Sequence, residues 1–232
     1  MNILNDSNQI YLQSAMERNT DEENEILKKN LETIDWSIFE HIKNKEEKER
    51  GVFAPLEAIE VEQIKEKEAE FKAAGIKAIQ DGKVGAVLLA GGQGTRLGLD
   101  KPKGTLKIGI DRDLYLFQQL VNNLLEVTDE AKAYVPFYIM TSNINNKDTV
   151  EFFEEHNYFG YPKEYVKFFI QEMVPACDFE GRAYLISDTE IAMSPNGNGG
   201  WFSSIVKAGL LEDIQARGIE WMNVFADRKS VV

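Results

Sequence analysis

A doubly wound α/β architecture with a parallel or mixed sheet, preceded by a helical extension, follows from three features of the sequence. The run VGAVLLA from Val84 is short and almost wholly apolar, as a strand covered on both faces must be. Glycine-rich sequence follows it at once, and strand-like and helix-like segments then alternate as far as Ala226.

Up to about residue 82 the chain is charged, poor in Gly and Pro, and helical in period. Its apolar positions include Ile26, Leu27, Leu31, Ile34, Ile59, Ile64, Phe71, Ile76 and Ile79. Residues 1–82 are therefore expected to be a helical extension, with Asp81 and Gly82 ending its last helix. The charged run from Lys43 to Arg50 reads as a solvated helix end or loop.

Residues 83–226 carry the α/β pattern. After the strand from Val84 come an amphipathic helix near 114–127, a strand Pro136 to Thr141, and a helix near 147–156. A strand Val166 to Gln171, a helix starting near Trp201 and a strand Gly218 to Ala226 complete it. In such sheets the ligand crevice lies beyond the carboxyl ends of the strands, where the loops after Ala90, Thr141, Gln171 and Ala226 converge.

With 232 residues and 43% hydrophobic content, the chain can bury the core of one large or two small domains. A net charge of −13 and a pI near 4.7 argue against a protein that reads a nucleic-acid backbone. A phosphorylated ligand would need local donors and a few placed cations. The single cysteine, Cys177, excludes an internal disulfide, and neither it nor His41 and His156 sits in a nucleophilic context. No apolar run approaches the roughly 20 residues that span a bilayer, and the first residues do not resemble a signal peptide. A cytoplasmic location without a membrane partner is expected.

The segment LLAGGQGTRLGLDKPKG, Leu88 to Gly104, is the most informative. Gly91, Gly92, Gly94 and Gly98 permit tight turns and close backbone approach to phosphate, and Arg96, Lys101 and Lys103 supply cations. A Walker loop fails, because GTR stands where Gly-Lys-Ser/Thr is required. A dinucleotide fingerprint could use Gly92 and Gly94 but finds Leu97 at its third position. A plain tight turn without a ligand stays open.

AGGQGTRLG followed by PKG resembles the signature loop of nucleotidyltransferases that make nucleotide sugars. The form here is similar to eukaryotic-type UDP-N-acetylhexosamine pyrophosphorylases, within the UDP-sugar pyrophosphorylases. YIMTS (138–142), FFEEHNYFG (152–160), VKFFIQ with PA (166–176) and MSPNGNGG (193–200) match in the same order.

The resemblance implies the nucleotide-diphospho-sugar transferase fold, which is Rossmann-like, and a reaction joining UTP to a sugar 1-phosphate with release of pyrophosphate. N-acetylglucosamine 1-phosphate is favoured and glucose 1-phosphate is open. It places Leu89, Ala90, Gly91 and Gly92 against the uridine and ribose, with Gly94 and Thr95 completing that loop. Arg96 and Lys103 face the triphosphate as the catalytic cations. Gln171 pairs with the uracil edge, Gly197 touches the base and Asn198 the sugar; a strand-end polar residue and a helix-opening turn are the plain alternatives. Mg²⁺ would bridge phosphate oxygens. The aromatic cluster Phe152, Phe153, Tyr158, Phe159 and Tyr161 reads as core packing, not as a sugar platform.

The family pattern departs at the end. The family continues into a VDN motif with a metal-holding aspartate, whereas this chain reads WMNVFADRKSVV. Asp227 is not assigned that role, and no metal ligand is assigned within the chain. A common sequencing-adapter sequence translates to DRKSVV, so residues 227–232 are expected to be a non-native tail and the catalytic unit to be incomplete and inactive alone. An intact genomic gene encoding these residues would overturn that expectation. A noncatalytic nucleotide-binding or regulatory module is the alternative. The sequence names no protein partner.

Overall fold

The computed structural model describes residues 3, 6, 8–36, 39, 51–56, 58–92, 98 and 100–226. Along the chain its helices and strands are α1 (Ile10–Arg18), α2 (Asp21–Glu32), α3 (Val61–Glu66), α4 (Glu68–Gln80), β1 (Val84–Leu89), α5 (Leu116–Ala131) and β2 (Phe137–Thr141). There follow α6 (Asn146–Glu155), β3 (Val166–Ile170), β4 (Met173–Pro175), β5 (Leu185–Ser187), β6 (Glu190–Ile191), β7 (Met193–Pro195), α7 (Trp201–Lys207), α8 (Leu211–Ala216) and β8 (Trp221–Ala226). They form two units, residues 57–172 with 197–232, and residues 1–56 with 173–196.

The larger unit holds a four-stranded sheet in the order β3-β2-β1-β8, with every neighbouring pair parallel. The sheet is thus parallel, as one of the two expected forms. Parallel strands need crossover connections, and α5, α6 and the α7–α8 pair supply them. The apolar run of β1 is used on both faces. Ala86 and Leu88 pack with Phe117 and Val121 of α5 and Phe153 of α6. Val87 and Leu89 pack with Tyr138, Met140, Ile205 of α7 and Ile214 of α8. Each fully buried side chain of this size contributes about 1.5–3 kcal/mol, so a charge at Val87 or Leu88 would break the sheet's centre.

Chain order marks the sheet's switch point. From β1 the strands step to β2 and β3 on one side, and β8 then returns to the other side of β1. The order reverses at β1, which makes its carboxyl end the topological switch point.

Local chemistry sets the helix ends. Helix α4 stops as expected: Gly82 takes φ +70° and donates its N–H to the Ile79 carbonyl. Helix α5 runs four residues past the expected Val127, because Thr128 satisfies its hydroxyl on the Leu125 carbonyl and so can be buried. After α6 the chain turns through Asn157, Tyr158 and Phe159, all at positive φ, before Gly160. That turn costs about 1–2 kcal/mol per residue and is offset by burial of Tyr158 and Tyr161 in the core. Phe152 and Phe159 pack against the same cluster, so the aromatic group is core, as read from the sequence.

In the smaller unit α2 begins with a capping box, in which Thr20 and Glu23 exchange hydrogen bonds. Leu12, Leu27, Leu31, Trp36 and Phe39 form a core with Ala183 and Ile191. β4 pairs antiparallel with β7, and β5 with β6. The division differs from an extension ending at residue 82: the segment through Leu56 groups with 173–196, whereas α3 and α4 group with the sheet. Ile79 packs on the sheet core, while Ile59, Ile64 and Phe71 stay exposed. The run 43–50 and the tail 227–232 lie outside the described residues. Among the described residues no helix is long and apolar enough to cross a membrane.

Candidate functional site

The glycine segment leaves β1 at its carboxyl end. Ala90 still belongs to the sheet, donating its N–H to the Met140 carbonyl at 2.8 Å. Beyond it the chain needs other partners, and the loop between β2 and α6 provides one. Asn145 is fully buried; its Nδ2 donates to the carbonyls of Ala90 at 3.0 Å and Gly92 at 3.3 Å. Its Oδ1 accepts the Ser142 N–H at 2.7 Å. The Lys103 N–H also reaches the Gly92 carbonyl, at 3.5 Å, where residues 103–105 form a short 3₁₀ turn.

Gln171 follows β3 and extends the ladder by one bond, from its N–H to the Thr141 carbonyl at 2.8 Å. Its side chain is buried, at 6% exposure, and its Nε2 donates to the Gly197 carbonyl at 2.8 Å. A carbonyl can only accept, so the amide nitrogen must face Gly197 and the amide oxygen must face elsewhere. That oxygen lies 2.8 Å from the point where a Cβ on Gly91 would stand. Only glycine lets the β1 loop and this amide approach so closely.

Gly197 has φ +79° and opens the 3₁₀ turn Asn198–Gly200 that leads into α7. Its carbonyl also accepts the Gly200 N–H at 3.2 Å. Next to Gln171, Glu172 is tied to the same helix: its N–H donates to Ser204 Oγ at 3.0 Å, and its carboxylate accepts from Ser203 and pairs with Lys207. The loop after β3 is therefore fastened through Gln171 to the turn before α7 and through Glu172 to α7 itself.

Gly91 and Gly197 thus each meet the Gln171 side chain, and Ala90, Gly92 and the Lys103 backbone join the loop through Asn145 and one another. Leu89 turns its side chain into the core. Asn198 is exposed on the turn before α7. Gly94, Thr95 and Arg96 lie outside the described residues. Among the described residues no group of three or more His, Cys, Asp or Glu could hold a metal ion, so these residues alone do not form a metal cage.

Asn145 and the Glu172–Ser203–Ser204–Lys207 cluster are absent from the sequence reading. An Asn just before a helix ordinarily reads as an N-cap. Here the side chain makes no capping bond to α6 and turns to the glycine loop instead, a choice made by a segment 53–55 residues away.

A glycine turn at the switch point of a doubly wound sheet, with a fixed amide beside it, defines the class: a Rossmann-like α/β protein with its crevice at the carboxyl ends of the strands. Within that class the chain belongs to the UTP--glucose-1-phosphate uridylyltransferase family, whose model matches residues 19–226. It is 39% identical over 186 residues to the UDP-N-acetylglucosamine pyrophosphorylase of Saccharomyces cerevisiae, covering 77% of this chain and 39% of that protein. It is 32% identical over 225 residues to UDP-N-acetylglucosamine diphosphorylase 2 of Arabidopsis thaliana, covering 88% of this chain and 44% of that one. The uridine diphosphate N-acetylglucosamine pyrophosphorylase of Trypanosoma brucei, solved with an inhibitor, superposes with a TM-score of 0.69 at 27% identity, over 97% of this chain and 50% of that one. The chain thus spans less than half the length of the two sequence relatives.

Proposed function

We propose that this chain is the UTP-binding part of a uridylyltransferase that forms a UDP-sugar and pyrophosphate, with N-acetylglucosamine 1-phosphate favoured and glucose 1-phosphate as the other acceptor. The observation that carries the reading is the clamped amide of Gln171 against Gly91. With one Nε2 hydrogen held by Gly197, Oε1 is oriented to accept from the N3–H of uracil, and the second Nε2 hydrogen can donate to O4. Cytosine has no N3–H and carries an amino group at the O4 position, so the same amide rejects it. The names of the relatives support uridine and the N-acetylated sugar.

The chemistry asked of the site is positioning. A sugar 1-phosphate oxygen attacks the α-phosphorus in line, the bond to the bridging oxygen breaks, and pyrophosphate leaves. The glycine backbone holds the nucleotide, and Arg96 and Lys103 neutralise charge on the leaving group. Mg²⁺ would shield the phosphate oxygens, and the described residues include no cluster of three or more His, Cys, Asp or Glu to hold it. The region of the relatives that this chain does not cover would complete the sugar side of a cytoplasmic enzyme.

Calorimetric titration of the chain with UTP and CTP tests the base reading: UTP should bind at least about tenfold more tightly, the worth of one or two hydrogen bonds. Equal affinities, or no binding, would refute it. Turnover is tested as pyrophosphate release from UTP with either sugar 1-phosphate, using the longest open reading frame that contains the chain. Binding of UTP without turnover in that product would make it a noncatalytic module.

A further inference from the structure

We infer that Asn145 is a positioning residue for nucleotide binding, which sets the conformation of the glycine loop from beneath without touching the ligand. The inference rests on the reading that this loop binds UTP. Asn145 is fully buried, and its Nδ2 grips the carbonyls on both sides of Gly91 while Oδ1 is anchored on the Ser142 N–H. Both amide hydrogens are thereby used.

The geometric consequence concerns the Gly91 peptide. In a trans peptide the C=O and the following N–H point in opposite directions. Holding the Ala90 carbonyl toward Asn145 therefore aims the Gly91 N–H away from Asn145. Gly91 has the conformational freedom to flip this peptide, and no side chain of its own to resist. Without a donor below it, the loop would sample orientations that turn carbonyl oxygen, not N–H, to the ligand side. Ordering it would then oppose binding.

A charge-free change and an isosteric one separate this role from plain stability. Asn145→Ser is too short to span both carbonyls and adds no charge. Asn145→Asp keeps the shape and the Ser142 bond but sets a carboxylate oxygen against two carbonyl oxygens. The chain and both variants are titrated with UTP by calorimetry, and their melting without nucleotide is followed. The expected result is a Kd for UTP raised about tenfold or more with unchanged stoichiometry, the size of a loss of two buried hydrogen bonds. If Asn145→Asp does not fold, Asn145→Ser decides. A wild-type Kd with fewer binding-competent molecules would mean that Asn145 only stabilises the fold, and that overturns the inference. So would wild-type binding in a folded variant. Absence of UTP binding by the unaltered chain would instead remove the functional reading on which the inference rests.

Discussion

Gln171 and Gly197, 26 residues apart in the chain, are joined by a 2.8 Å hydrogen bond from the glutamine amide nitrogen to the glycine carbonyl. That bond fixes which end of the amide faces the β1 loop. Gly91 lies against the other end, where an added Cβ would stand 2.8 Å from Oε1.

Gly91→Ala should therefore displace the Gln171 amide while leaving the sheet intact. The expected outcome is weaker UTP binding, by about tenfold or more if the amide's bonds to the base are lost, with little change in the far-ultraviolet circular dichroism. Unaltered affinity would show that Gln171 does not read the base.

Gly104→Ala should be costly for a different reason. A Cβ there would lie 2.1–2.3 Å from three atoms of the Phe117 ring, which is fully buried. Overpacking of this kind costs about 1–3 kcal/mol, and each kcal/mol lowers the melting temperature of a domain of this size by about 2–4 °C. Gly75→Ala, in the open interior of α4 with nothing within 4 Å of its Cβ, should go the other way by about 0.5–1 kcal/mol. Thermal unfolding of the two variants side by side checks both signs.

Asp213 gathers Tyr138 Oη at 2.8 Å, Lys167 Nζ at 2.8 Å and Arg217 Nε at 3.1 Å, tying α8 to β2 and β3. Burial is the largest single influence on its carboxyl and opposes ionisation. The hydrogen bonds from Lys167, Tyr138 and Arg217 together outweigh it and hold the carboxyl below the usual value of 3.8. A lowered folded-state pKa contributes stability that is present above the unfolded-state value and is lost as pH falls through the folded one. Asp213→Asn should thus be less stable than the unaltered chain at neutral pH, and the gap should close as the pH is taken below about 4. Denaturant melts at several pH values measure it; a gap independent of pH would rule out the charged network as its source.

In the smaller unit Gln9 is buried, with its Nε2 donating to the Gly181 carbonyl at 2.8 Å and its Oε1 accepting the Ala183 N–H at 2.9 Å. Gln9→Ala leaves both backbone groups without this partner, at a cost of about 1–3 kcal/mol for each group left buried and unpaired. Hydrogen exchange at Ala183 should accelerate in that variant. Protection equal to the unaltered chain's would mean that another group satisfies the 181–183 backbone.

The strand Val84–Leu89, the glycine turn after it and the alternation that follows were legible in the residues, because a doubly covered parallel strand must be apolar at every position and its turn must be glycine. Gln171 and Gly197 could be named from motif resemblance. Their bond to one another could not, since nothing local ties residues 26 apart. The strands of residues 173–195 escaped notice because each is only two or three residues long, too short to show a period of two. Asn145 stands at the start of α6 yet its side chain holds the glycine loop, a bond no local pattern announces, and residues 1–56 group with 173–196 and not with α3 and α4. Burial pattern and backbone freedom are properties of neighbouring residues, so the chain fixes its sheet and its turn locally. Which amide meets which carbonyl depends on segments that only folding brings together, and that step set Gln171 between Gly91 and Gly197.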